Sequence, residues 1–324
     1  MYGIILYGKW CSQLAINKFM MSVLKALSYP DIDVKKNYKI ERILTNMNAP
    51  ALKILYRMWD HHIVLGDHDI PVRIFPPNEK LGPELFVFFH GGGWVSGNID
   101  SYIKPCSNLA NAAGRFVISV DYRLAPEFPF PYAVNDCYHA TREIYELCGL
   151  LDTSPEDIVL IGNSAGGNLA AVVSLMARDR GEFTVNRQIL IYPAVNNDYS
   201  DDSPFESIRT NGSDYLITSK KINDFMDLYI QDKKYINDPY FAPLLADDLS
   251  RQPDTLIITA EFDPLRDEGE EYGKRLRAAG NDVTMYRMED ALHGFFSLPA
   301  TFPHVKRTFE LIRSFLGEVP DIED

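Results

Sequence analysis

Cysteine is scarce: Cys11, Cys106, Cys137 and Cys148 are the only four in 324 residues, and no two show Cys-x-x-Cys spacing. That is too few for a disulfide scaffold and offers no thiolate metal site, so a reducing, cytoplasmic setting is expected. Positive charge is also short. Lys and Arg total 32 against 45 Asp and Glu, a net charge of -13, which disfavours nucleic acid and anionic membrane as partners. The pairs Lys35-Lys36, Lys220-Lys221 and Lys233-Lys234 read as solvated faces. Long apolar runs are absent too. The amino-terminal stretches Gly3 to Gly8 and Phe19 to Leu27 are broken by Lys9, Lys18 and Lys25, and no small-residue cleavage site follows. No signal peptide and no stable membrane insertion are therefore expected. The segment reads as helix laid on the protein's own body, with a weak amphipathic membrane contact as the sharper alternative. No internal repeat or low-complexity tract occurs. His61, His62 and His68 lie among Asp60, Asp67 and Asp69, but without His-Glu-x-x-His or similar ligand spacing no metal is expected.

A chain of this length with 46% hydrophobic residues can bury a large core. Apolar alternation from His62 to Phe75 around Gly66-Asp67 predicts a hairpin. Short β-rich runs then recur at Leu85–Phe89, Phe116–Val120, Ile158–Ile161, Ile189–Tyr192, Leu256–Thr259 and Val283–Tyr286, with helical patterns between them. Such alternation predicts an α/β fold with a mostly parallel sheet and helices on both faces. Between Ala194 and Ala242 it lapses into an Asp-rich loop and a helix near Ile222 to Ile230. The expected organisation is amino-terminal cap helices over 1–57, a first core part over 58–195, a cap insertion over 196–241, and a second core part over 242–324. The cap would cover the carboxyl ends of the strands, where open α/β sheets bind ligands.

The most informative segment is Ile158 to Ala171, in which an apolar strand passes through Gly162-Asn163-Ser164-Ala165-Gly166 into a helix rich in small residues. A sharp strand-to-helix turn holds the Ser164 hydroxyl clear of the chain, as a nucleophile requires. Acyl transfer also needs a base, a carboxylate to orient it, and donors for the oxyanion. His90-Gly91-Gly92-Gly93-Trp94 follows one strand run directly, and its glycines let backbone N–H groups face a cavity. A flexible loop or a phosphate cradle would look similar, although the Lys-Ser/Thr of a P-loop is missing. His90 reads as a structural hydrogen-bonding residue. His293, in a loop past a strand run, is the candidate base. Asp263, a turn residue fixed by Pro264 beyond the strand Leu256–Thr259, is the candidate carboxylate, with Glu261 as its rival. Asp267 and Glu268 suit the first turn of the next helix.

Taken together, His90-Gly91-Gly92-Gly93-Trp94, Asp121-Tyr122-Arg123-Leu124-Ala125-Pro126-Glu127, the serine turn, Asp263-Pro264-Leu265-Arg266-Asp267-Glu268 and His293-Gly294-Phe295 resemble the hormone-sensitive-lipase-like branch of the α/β-hydrolases from about Ile70 to Phe315. The resemblance implies a triad of Ser164, Asp263 and His293, an oxyanion hole from the Gly91, Gly92, Gly93 loop and Ala165, and a helical cap. It implies no cofactor, an ester as small-molecule substrate, and a homodimer as a common assembly. Trp94 and Phe295 are expected to line an apolar acyl pocket for short- to medium-chain esters. Deacetylation of acetylated sugars, an amidase or peptidase on the same fold, and a small-molecule receptor are the alternatives. Asn163 departs from the family, which usually has Asp before the serine. The tract Asp121 to Glu127 reads as structural, with Arg123 and Glu127 as buried partners.

Overall fold

Near-continuous apolar runs put each central strand between two apolar layers. The computed structural model describes residues 6–7, 33–47 and 56–318. Its strands are β1 (Leu6–Tyr7), β2 (Trp59–Val64), β3 (Asp69–Phe75), β4 (Leu85–Phe89), β5 (Phe116–Val120), β6 (Ile158–Asn163), β7 (Arg187–Ile191), β8 (Asp254–Phe262) and β9 (Val283–Leu292). They form one sheet in the order β1-β9-β8-β7-β6-β4-β5-β3-β2. All pairings are parallel except β5 with β3 and β3 with β2. The β2–β3 pair is the hairpin predicted around Gly66-Asp67.

Alternate residues of one strand enter different layers. Leu85, Val87 and Phe89 join one apolar cluster while Phe86 and Phe88 join the other, as a period of two demands. Helices α1 (Val34–Asn46), α2 (Ile103–Ala113), α3 (Tyr132–Leu147), α4 (Ala165–Arg180), α5 (Glu206–Asn211), α6 (Ser219–Tyr229), α7 (Arg266–Ala278) and α8 (Pro303–Phe315) complete the fold. The first cluster contains buried residues of α3, α4 and α7, the second those of α2 and α8. Every residue of α4 from Ala165 to Ala177 is buried, which suits a helix apolar on all sides and explains its alanines and glycines. Among the described residues no helix is long and apolar enough to cross a membrane.

Two expectations change here. Leu6–Tyr7 falls in the stretch expected to be helical, yet it pairs parallel to β9, because the free edge of β9 offers unpaired backbone groups to an adjacent extended segment. The apolar stretch Phe19 to Leu27 and Cys11 lie outside the described residues. Arg123 and Glu127 do not pair with each other. Arg123 grips Asp136 through two bonds of 2.9 and 2.7 Å and stacks on Tyr132, whereas Glu127, 42% exposed at its side chain, binds Arg42 at 2.9 Å. Their side chains serve different neighbours on either side of the tract, so no buried pair forms.

The Arg42 contact brings α1 to the core. Its guanidinium also donates to the carbonyls of Val95 and Ala125, both at 2.9 Å. Helix α1 meets α6 through Lys221–Glu41 at 2.7 Å and through the Val34 N–H to Asp224. One helix between β1 and β2 and one between β7 and β8 thus roof the carboxyl ends of the strands.

Candidate active site

Ser164 sits between β6 and α4 with φ 57° and ψ −123°, a left-handed conformation that an L-residue holds only when its surroundings impose it. Its N–H donates to the Ile191 carbonyl at 2.9 Å, and its carbonyl accepts from Asn168 N–H at 3.0 Å. The turn closes tightly: a Cβ at Gly162 would overlap the Gly166 carbonyl, and one at Gly166 would overlap the Phe89 carbonyl. Both glycines are therefore required by close backbone approach.

Beyond β8, Asp263 is fully buried. Its Oδ1 accepts from Leu265 N–H at 2.9 Å, and its Oδ2 lies 2.7 Å from His293 Nδ1. A carboxylate can only accept, so Nδ1 carries the proton and Nε2 presents its lone pair. That Nε2 faces Ser164 Oγ at 2.9 Å. The connection between β7 and β8 braces this arrangement, because Asn211 of α5 donates to the Asp263 carbonyl and Ser207 donates to that of Pro264. Glu261, the rival carboxylate, accepts instead from Asp290 N–H at 2.7 Å, bracing β9 before His293.

Next to β4, His90 is fully buried, and burial pushes its imidazole down to about 4; it is neutral at physiological pH. It donates from Nδ1 to the Gly91 carbonyl at 2.9 Å and stacks on Tyr122 at 4.2 Å. The Tyr122 hydroxyl donates to the His90 carbonyl at 2.7 Å, so the tract Asp121 to Glu127 buttresses the glycine loop. Gly91 differs from its neighbours: its N–H is taken by Asn163 Oδ1 and Tyr102 Oη, both at 3.1 Å. It is thus not free to hold an oxyanion, contrary to the expectation that Gly91 is among the oxyanion donors. The N–H groups of Gly92 and Gly93 have no such acceptor among the described residues.

Ser164, His293 and the glycine loop line a cavity of about 300 Å³. Its floor is Gly91 to Trp94, Ser164, Ala165 and His293, and its roof includes Glu41 and Thr45 of α1 with Lys221, Ile222 and Phe225 of α6. Trp94 lines it, stacked nearly parallel on Tyr229 at 4.8 Å. Phe295 does not. It is buried edge-on against Tyr192 at 5.0 Å, because the turn after His293 directs its ring into the second apolar cluster. Phe295 is therefore a core residue and not the expected wall of the acyl pocket.

A family profile described as alpha/beta hydrolase fold matches residues 86–297, a span that holds the serine turn, the glycine loop, Asp263 and His293. The chain belongs to the α/β-hydrolase family. An arylesterase of Saccharolobus solfataricus is 38% identical over 242 residues, covering 75% of this chain and 78% of that protein. An ethyl acetate hydrolase of Pseudomonas putida is 34% identical over 71% of this chain and 73% of its own. Among solved structures, the hyperthermophilic esterase of the archaeon Pyrobaculum calidifontis superposes with a TM-score of 0.78 at 35% identity, covering 92% of this chain and 96% of that one.

Within this α/β-hydrolase, several site residues carry no signal in the sequence. Tyr102, Glu41 and Lys221 belong to helices or helix caps, and only tertiary packing brings them to the cavity, as it brings Asn211 to the Asp263 carbonyl. Tyr192 directly follows β7, and its position at a strand end was the one clue available.

Proposed function

We propose that this enzyme is a serine carboxylic ester hydrolase that works through an acyl-enzyme on Ser164. The observation that carries this reading is the continuous hydrogen-bonded line from Asp263 through His293 to Ser164, opening on a cavity beside unpaired backbone donors. Ser164 Oγ attacks the ester carbonyl carbon while its proton passes to His293 Nε2; Asp263 holds the tautomer and offsets the imidazolium charge. The carbonyl oxygen becomes an oxyanion, stabilised by N–H groups of Gly92, Gly93 and Ala165. When the C–O bond breaks, the alkoxide takes the proton from Nε2 and leaves as alcohol. Water, deprotonated by the same nitrogen, then releases the acid and restores Ser164.

The cavity holds about 300 Å³ and has Trp94 and Phe225 among its walls, which favours short- to medium-chain acyl groups over long triglycerides. The names of the related arylesterase and ethyl acetate hydrolase agree with small esters. Cys106, Cys137 and Cys148 are free and buried, in keeping with a cytoplasmic setting. The deciding experiment pairs fluorophosphonate labelling with hydrolysis of p-nitrophenyl esters of increasing chain length. Labelling at Ser164, and a loss of turnover of about 10⁴-fold or more in Ser164→Ala, are expected. Wild-type turnover in that variant would sink the assignment.

A further inference from the structure

Asn163, the last residue of β6, is the point at which the three arms of the site meet. Its side chain is buried, and every polar atom of its amide is used. Oδ1 accepts from Gly91 N–H at 3.1 Å, and Nδ2 donates to Tyr102 Oη at 3.1 Å and to Tyr192 Oη at 3.4 Å. Each tyrosine carries the connection onward. Tyr102 Oη accepts a second bond from Gly91 N–H. Tyr192 Oη accepts from Phe296 N–H at 3.3 Å, in the turn that follows His293, and the Tyr192 ring lies 4.7 Å from the imidazole. The contact at the glycine loop is close: a Cβ on Gly91 would stand 2.7 Å from Asn163 Nδ2.

We propose that Asn163 is a positioning residue, which locks the oxyanion loop and the base loop to the serine turn through one buried amide. This rests on the reading of Ser164 as nucleophile. The physical reason is that Gly91 N–H requires an acceptor while the Tyr102 and Tyr192 oxygens receive donors, and an amide supplies both functions from one planar group. With Gly91 tethered, Gly92 and Gly93 follow it into the cavity with their N–H groups unpaired. With Tyr192 tethered, the turn after His293 is held against the floor. Neither effect requires Asn163 to touch the substrate. Its loss should therefore act on the transition state, for which donors and base must be placed, more than on substrate capture.

The test is steady-state kinetics on p-nitrophenyl butyrate with Asn163→Leu, Asn163→Asp, Tyr102→Phe and Tyr192→Phe, each checked by thermal melting. Asn163→Leu is expected to lower kcat by about 10²-fold with KM within about threefold. Asn163→Asp should recover kcat to within about fivefold of wild type, because a carboxylate still accepts from Gly91 N–H and the tyrosine hydroxyls can turn to donate to it. The phenylalanine variants keep the rings in place and remove one arm each, so they decide the matter if Asn163→Leu does not fold. A fall in kcat of about tenfold in either is expected. The proposal is overturned if folded Asn163→Leu, or both phenylalanine variants, keep wild-type kcat, or if Asn163→Asp is no better than Asn163→Leu. Failure of the underlying reading would be seen separately, as undiminished turnover in Ser164→Ala.

Discussion

His293 Nε2 lies 2.9 Å from Ser164 Oγ although 129 residues of chain separate them, and its Nδ1 is tied on the far side to Asp263 at 2.7 Å. The imidazole is thus clamped in the tautomer that leaves Nε2 free to accept. Asp263→Asn would keep the shape of the clamp and reverse its polarity, since an amide can donate to Nδ1 and move the proton to Nε2. The expected loss in kcat is about 10⁴-fold with little change in KM. Stopped-flow measurement of the acylation burst on a p-nitrophenyl ester checks this, and a burst at the wild-type rate would refute it.

Gly93 has φ +61°, and a Cβ there would overlap the Phe225 ring of α6. Gly93→Ala therefore has to move either the donor loop or the roof of the cavity. A fall in kcat/KM of about 10²-fold is expected, the scale of losing one oxyanion donor, with Tm changed by only a few degrees. Combining Gly93→Ala with Phe225→Leu separates the two routes, because relief of the overlap should restore part of the activity.

Arg42 reaches two core carbonyls and Glu127 from α1. Arg42→Ala should loosen the roof without touching the serine turn. The contact is partly exposed, so a stability loss of only about 1 kcal/mol is expected. The larger effect should be a rise in KM of about three- to tenfold at nearly constant kcat. Unchanged KM across an acyl chain-length series would show that α1 does not shape substrate binding.

Glu268 lies in the first turn of α7 but is fully buried beside the site, accepting from Val195 N–H at 2.7 Å and from the Tyr199 hydroxyl at 3.0 Å. Burial pushes its carboxyl up from the ordinary 4.5 to about 8. The folded chain therefore holds this proton more tightly than the unfolded chain. The contribution to stability is complete below about pH 4.5 and is lost as pH rises through about 8. Glu268→Gln keeps the acceptor oxygen and cannot ionise. Melting curves recorded between about pH 5 and pH 8.5 should fall less steeply for the variant than for the wild type. Parallel curves would mean that the carboxyl ionises freely in the folded protein.

Much of this molecule was legible from local pattern. Leu85–Phe89 and Phe116–Val120 coincide with β4 and β5, because a strand buried on both faces must be apolar throughout and is bounded by turn residues. The order of glycine loop, Ser164, Asp263 and His293 was readable for a related reason, since each follows an apolar strand run and strand ends are where a parallel sheet exposes side chains to ligand. Phe295 was misread because adjacency to His293 in sequence says nothing of which layer a ring enters. Gly91 was misread because its N–H looks like those of Gly92 and Gly93 until Asn163 and Tyr102 are folded against it.

The sequence by itself determined the central strands, their burial and the chemical groups available at their ends, because these depend on short-range periodicity and residue type. Only the tertiary structure decided which groups meet. That Asn163 joins Gly91 to Tyr192, that Arg42 fastens α1 over the cavity and that Arg123 and Glu127 take separate partners are matters of long-range packing. Hydrogen bonds form between whichever donors and acceptors the packed core leaves face to face, and no local pattern records that choice.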